Sequence, residues 1–186
     1  MKISLKTIGN TIQVKTQFNP KFANAASKIG GKFDYSAKAW NFDDRNIDLV
    51  KSTLLDIFGT DGCNQSVVDV EITVKQKIIG EQAPIYLGGR IIAQARGRDS
   101  GAKIGEGVVF IENSPSSGGS VQNWLTKIDA GSTFKILDLY EGALKILDND
   151  ESIEYKIISK ESPQNELQQL KAELARIEAR IAELEA

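Results

Sequence analysis

Phe33-Asp34-Tyr35-Ser36-Ala37-Lys38-Ala39-Trp40-Asn41-Phe42 decides how the first third of this 186-residue chain folds. Two short runs flank Ser36-Ala37-Lys38-Ala39, the pattern of a hairpin. Trp40 and Phe42 stand two residues apart and therefore share one face. Upstream, Gly30-Gly31 ends a helix that Asn19-Pro20 opens, with Asn19 as N-cap and Pro20 at the first helical position. Phe22, Ala25, Ala26 and Ile29 form its apolar face. Further upstream, Ile3, Leu5 and Thr7 alternate with polar residues. Gly9-Asn10 signals a turn, and Ile12, Val14 and Thr16 resume the alternation of a half-buried strand. Downstream, Asp43 or Asp44 caps a second helix. Its stripe is Ile47, Val50, Leu54, Leu55 and Phe58, closed by Gly59. Residues 1–62 thus predict a ββαββα module.

Residues 63–160 read differently. Candidate strands are Val67 to Val74, Pro84 to Leu87, Arg90 to Ala95, Gly107 to Glu112, Ser132 to Leu139 and Ser152 to Ile158. Gly- and Ser-rich stretches separate them, as in a small β-barrel or sandwich. Tyr140 to Leu147 reads as a short helix. Residues 161–186 form a third part. Leu167, Leu170, Leu174, Ile177, Ile181 and Leu184 step by alternating threes and fours, a heptad seam. A lone helix of this kind is marginal in water, so the seam needs a cover. The narrow stripe favours copies of itself over the chain's own surface, and a C-terminal coiled-coil oligomerisation helix is expected. The overall class is α+β.

Composition bounds the function. The hydrophobic fraction of 41% is enough for a packed core. No histidine is present, which removes imidazole catalysis, Ser-His-Asp triads and His-ligated zinc. A single cysteine, Cys63, excludes an intramolecular disulfide and a Cys-rich metal site. No signal-peptide run and no stretch of transmembrane length occurs, so a soluble cytoplasmic protein with no membrane partner is expected. Charge is uneven. Residues 1–62 hold nine basic and six acidic groups, whereas both later parts carry an acidic excess.

The hairpin gives aromatic-D-x-x-x-K-x-W-x-F, from Phe33-Asp34 through Lys38 and Trp40 to Phe42. Phe18-Asn19-Pro20-Lys21-Phe22 lies before it, and the acidic pair Asp43-Asp44 follows, ahead of a helix. This arrangement resembles the HARP domain of DNA-annealing helicases and similar small modules of plasmid and phage proteins. The resemblance spans residues 1–62 and implies recognition of branched DNA. Where the family usually has Tyr, this chain has Phe33. No helicase motor follows, and no G-x-x-x-x-G-K-[ST] phosphate loop exists. Substrate recognition without the machine is what remains. Lys21, Lys28, Lys32 and Lys38 are the candidate phosphate contacts, and Tyr35 at the turn is a candidate stacking ring. Trp40 and Phe42 alternate as core residues do.

A second candidate site lies in the middle region. Arg90, Arg96, Arg98 and Lys103 cluster around the loop that carries Ser100. A flexible Ser114–Ser120 stretch precedes Trp124. Gly/Ser loops with arginine can hold a phosphate, and Trp124 could stack on a base. Plain strand connection is the competing reading. Ser100 and Lys103 also make an S-x-x-K, but Gly101 sits inside it and no K-T-G follows. Asp148-Asn149-Asp150-Glu151 lacks calcium-loop spacing and reads as a turn. The expectation is a non-enzymatic, homo-oligomeric protein that binds branched or single-stranded DNA, without cofactor. The alternative is a phage or plasmid anti-defence protein that binds a host defence protein or sequesters a nucleotide messenger. A carboxylate-and-magnesium phosphodiesterase is the remaining enzymatic option.

Overall fold

The computed structural model describes residues 3–63 and 66–158. The protein is mixed α+β with short helices and a majority of strand among its regular elements. The heptad seam at Leu167, Leu170, Leu174, Ile177, Ile181 and Leu184 lies outside the described residues.

The N-terminal unit follows the predicted order. Strands β1 (Ser4–Ile8) and β2 (Thr11–Lys15) turn at Gly9-Asn10, where Gly9 adopts a φ of 58°. Helix α1 (Pro20–Lys28) starts with Pro20 in its first turn. Strands β3 (Lys32–Asp34) and β4 (Ala39–Asp43) form the hairpin. Asp43 caps a 3-10 turn (Asp44–Asn46) that runs into α2 (Ile47–Phe58), so the expected acidic cap acts one turn ahead of the helix itself. Gly59 closes α2 in the left-handed region, φ 71°, where its N–H reaches the Leu55 carbonyl.

The four strands make one antiparallel sheet in the order β1-β2-β4-β3. Ile12 faces Phe42, and Val14 and Phe33 both face Trp40. Directly opposed residues share a sheet face. That face packs on Phe22 and Ala26 of α1 and on Val50, Leu54 and Phe58 of α2.

The remaining described chain is β-rich. In order it forms β5 (Val67–Val74), β6 (Ile78–Glu81), β7 (Ile85–Leu87), β8 (Arg90–Ala95), β9 (Ala102–Ile104), β10 (Val108–Glu112), β11 (Ser116–Gly119), β12 (Trp124–Ile128) and β13 (Thr133–Tyr140). A 3-10 turn and the short α3 (Leu144–Leu147) precede β14 (Ile153–Ile158). Three sheets result, ordered β10-β13-β5-β14, β11-β12-β6 and β7-β8-β9. They enclose Val70, Ile72, Ile92, Ile128, Phe134, Ile136 and Leu139, each with no exposed surface.

Strands β6, β9, β11 and β12 were not expected from the sequence. The clearest correction is β11. Ser114–Ser120 reads as a flexible connector, yet Ser116–Gly119 pairs along its length with β12. Its glycines answer to space. A Cβ on Gly119 would lie 2.2 Å from the Asn123 carbonyl oxygen, and one on Gly118 would lie 2.5 Å from the Lys127 ammonium. Such a strand carries no apolar alternation, because its partner strand and not a core holds it.

The two units touch through backbone. A Cβ on Gly142 would sit 2.2 Å from the Gly59 carbonyl oxygen, and one on Gly89 would sit 2.3 Å from that of Ile57. The Ile3 N–H donates to the Tyr140 hydroxyl at 2.9 Å, and Tyr140 belongs to the N-terminal core although it ends β13. The boundary expected at residue 62 therefore cuts across the N-terminal core, which takes in Tyr140 and Val67 from beyond it.

Candidate nucleic-acid interface

A row of rings on the helix-bearing face of the N-terminal sheet runs from core to solvent. Phe42 is buried, Trp40 is half-buried, Phe33 is 40% exposed and Tyr35 is 85% exposed. The centroid separations along the row are 6.5 Å from Phe42 to Trp40, 5.4 Å from Trp40 to Phe33 and 5.1 Å from Phe33 to Tyr35. Phe22 of α1 meets Trp40 edge-on at 6.2 Å. The helices cover the row at Phe42 and leave it uncovered toward the hairpin turn.

The turn is held locally. Asp34 Oδ1 accepts the N–H groups of Ser36 at 2.8 Å and Ala37 at 3.0 Å. Lys38 then takes a φ of 50°, in the left-handed region that a lysine enters at a cost. This geometry presents Tyr35 and Lys38 together beside the rings.

The opposite wall is the segment between β2 and α1, residues Thr16 to Asn19. Phe18 there is 71% exposed. Between the two walls lies a groove of about 460 Å³, lined chiefly by Gln17, Phe18, Phe33, Tyr35 and Trp40. Among the described residues, Lys38 is the one cation in its lining and no carboxylate lines it. Exposed ring faces beside an ammonium suit unstacked bases, whose faces are apolar and whose backbone is anionic.

Of the sequence candidates, Tyr35 and Lys38 line this groove. Lys21 is exposed and lines a separate cleft between the two units, near Asp56 and Glu151. Lys28 and Lys32 are exposed and absent from the groove lining. Lys32 precedes Phe33 on β3, and strand alternation points it to the other sheet face. The residues that sequence reasoning missed are Phe18 and Phe33, together with the exposed side of Trp40. A signal existed for Phe18. It stands just before the N-cap, where a large apolar residue usually packs on the fourth helical residue. That residue is Ala23, too small to cover a phenyl ring.

The middle cluster is arranged otherwise. Arg90 serves the fold: its guanidinium donates to the carbonyl oxygens of Leu137, of Asp138 at 3.3 Å and of Glu106 at 2.8 Å. Burial lowers its pKa from the ordinary arginine value, while Glu106, Asp138 and Tyr140 pull the other way. Leu137 and Asp138 occupy a bulge in the β13–β5 pairing, with Asp138 at a φ of 52°. Arg90 thus ties the bulge to the turn that precedes β10.

The two Gly/Ser stretches do meet, but they satisfy one another. Ser117 Oγ accepts the Gly101 N–H at 3.0 Å and donates to the Arg98 carbonyl at 2.7 Å. Ser100 Oγ accepts the Arg96 N–H at 3.0 Å. Arg98 pairs with its neighbour Asp99 at 2.8 Å. Backbone N–H groups that would face an anion in a phosphate loop are here turned onto hydroxyls. Arg96, Arg98, Ser100, Lys103 and Trp124 line none of the three clefts described above or at the junction of the units.

Among the described residues, no group of three or more His, Cys, Asp and Glu side chains is placed to hold a metal ion. No helix among them is long and apolar enough to cross a membrane. No family model, curated protein or solved structure matches the chain.

Proposed function

We propose that this is a non-enzymatic nucleic-acid-binding protein whose aromatic groove takes unpaired bases, as on single-stranded or branched DNA. The observation that supports this reading is the ring row that leaves the core at Phe42 and reaches solvent at Tyr35 beside Lys38. Ring faces carry more of the recognition than charge does. Base stacking on an aromatic side chain is worth about 1–3 kcal/mol per base and tolerates any sequence. The HARP-like pattern of the hairpin agrees with this reading. Assembly through residues 161–186 would add avidity, since linked weak sites raise effective concentration without new contacts.

Fluorescence anisotropy with single-stranded, duplex and forked probes at two salt concentrations tests the proposal. Probes with unpaired bases should bind, and duplex should bind least. Affinity should fall gently with salt, because single strands lose about 0.7 log units per tenfold salt for each phosphate neutralised. Replacing the exposed Tyr35→Ala should cost at least about fivefold in affinity, the low end of one stacked base. Equal binding of all probes by wild type and the variant would overturn the reading. A cyclic nucleotide that raises the melting temperature while every DNA probe fails would move it to messenger sequestration.

A further inference from the structure

The groove is built by the N-terminal unit, yet one of its walls is fastened to the other unit. Residues Thr16 to Asn19 form that wall, and nothing in the sheet pairing extends to them, since β2 ends at Lys15 and α1 begins at Pro20. What holds the wall is Asn19. Its side chain is buried, 4% exposed, and uses both ends. Oδ1 accepts the N–H groups of Lys21 at 2.9 Å and Phe22 at 3.3 Å, which caps α1. Nδ2 donates to the carbonyl oxygen of Gly89, at 3.3 Å, in the β7–β8 turn of the β-rich unit. Gly89 is itself pressed against the end of α2, where a Cβ would lie 2.3 Å from the Ile57 carbonyl oxygen. That carbonyl is therefore held at a fixed place relative to the helices.

The same segment borders three cavities. Gln17 lines both the aromatic groove and a cavity at the junction of the units, and Asn19 lines both the groove and the cleft that holds Lys21. Phe18, between them, projects into solvent over the groove. A shift of the wall away from the β-rich unit would move Phe18 relative to Phe33 and Tyr35 and change the gap a base must fit.

We propose that Asn19 is a positioning residue: its amide donor to Gly89 sets the width of the aromatic groove, making the base site a joint property of both units. This rests on the groove reading above, and the two can fail separately. The role divides cleanly between the ends of one side chain. The cap needs only an oxygen acceptor, which Ser supplies about as well as Asn. The tether needs the amide donor, which Ser lacks.

The experiment uses the full chain as wild type, Asn19→Ser and Tyr140→Phe. Tyr140→Phe removes a second inter-unit hydrogen bond, that of the Ile3 N–H, and leaves residues 16–19 untouched. Each is titrated with a labelled oligo-dT well below its melting temperature, and each is digested briefly with trypsin, with cleavage after Lys15 and Lys21 read by mass spectrometry. Asn19→Ser should lose about fivefold in affinity, what one net hydrogen bond is worth, and should be cut faster at these two lysines. Tyr140→Phe should keep wild-type affinity and cleavage. Equal affinity of Asn19→Ser and wild type, or an equal loss in Tyr140→Phe, would overturn the proposal. If wild type binds no oligonucleotide, the base-binding reading has failed, and unchanged cleavage in Asn19→Ser would then overturn the tether on its own.

Discussion

The two units spend their apolar and polar groups in opposite ways. In the N-terminal unit the aromatic row of the core continues past the helices, so that Phe33 and Tyr35 remain uncovered. In the β-rich unit Phe134 has no exposed surface and stacks on the half-buried Phe110 at 4.6 Å. Polar groups show the reverse. The serine hydroxyls of the β-rich loops bind their own backbone and Arg90 holds strand and turn carbonyls, whereas Lys21, Lys28, Lys32 and Lys38 of the N-terminal unit stand exposed. A chain cluster rich in Arg, Gly and Ser can be fully occupied in holding itself together, and an aromatic hairpin can be less occupied than its spacing suggests.

The contrast can be broken by substitution. The largest expected effect is Phe134→Ala, which empties the centre of the β-rich core and should destabilise by about 3–5 kcal/mol. Chemical denaturation monitored by circular dichroism measures it. A loss like that of an exposed residue would show that this core is loosely packed. Tyr35→Ala, by comparison, should leave the denaturation midpoint almost unchanged while it lowers affinity.

A smaller effect is expected at the seam. Gly142→Ala places a methyl group 2.2 Å from the Gly59 carbonyl oxygen, and both neighbours are backbone. Relieving that overlap should cost about 1–3 kcal/mol, as overpacking commonly does. A melting temperature equal to wild type would mean that the units separate at little cost.

The smallest effect sharpens the functional half of the contrast. Arg96→Ala, Arg98→Ala and Lys103→Ala combined should change single-strand affinity by less than about twofold, the size left when charges act only at a distance through screening salt. A loss as large as that of Tyr35→Ala would return the middle loops to the site.

Much of the scaffold was legible. Asn19-Pro20, the stripe from Ile47 to Phe58 and Gly59 each state a local preference that the fold keeps. Strands with apolar alternation, such as Val67–Val74 and Ile153–Ile158, were legible for the same reason. Ser116–Gly119 was not, since its place depends on β12 and on the side chains over its glycines. The lining of the candidate groove was half legible. Tyr35 and Lys38 sit on one short turn, so sequence proximity puts them together. Lys21, Lys28 and Lys32 are near in sequence too, but strand alternation and the helix turn them elsewhere.

By itself, the amino-acid order determined the N-terminal element sequence, its caps and turns, and the lack of imidazole chemistry. These follow from backbone preferences and residue identity, which act over a few positions. Only the tertiary structure decided that Phe18 faces Phe33 and Tyr35 across a groove, that Arg90 serves a sheet bulge, and that Asn19 joins two units. Those outcomes rest on contacts between segments far apart in the chain. Which ring is left uncovered depends on where a helix ends in space, and no local pattern encodes that.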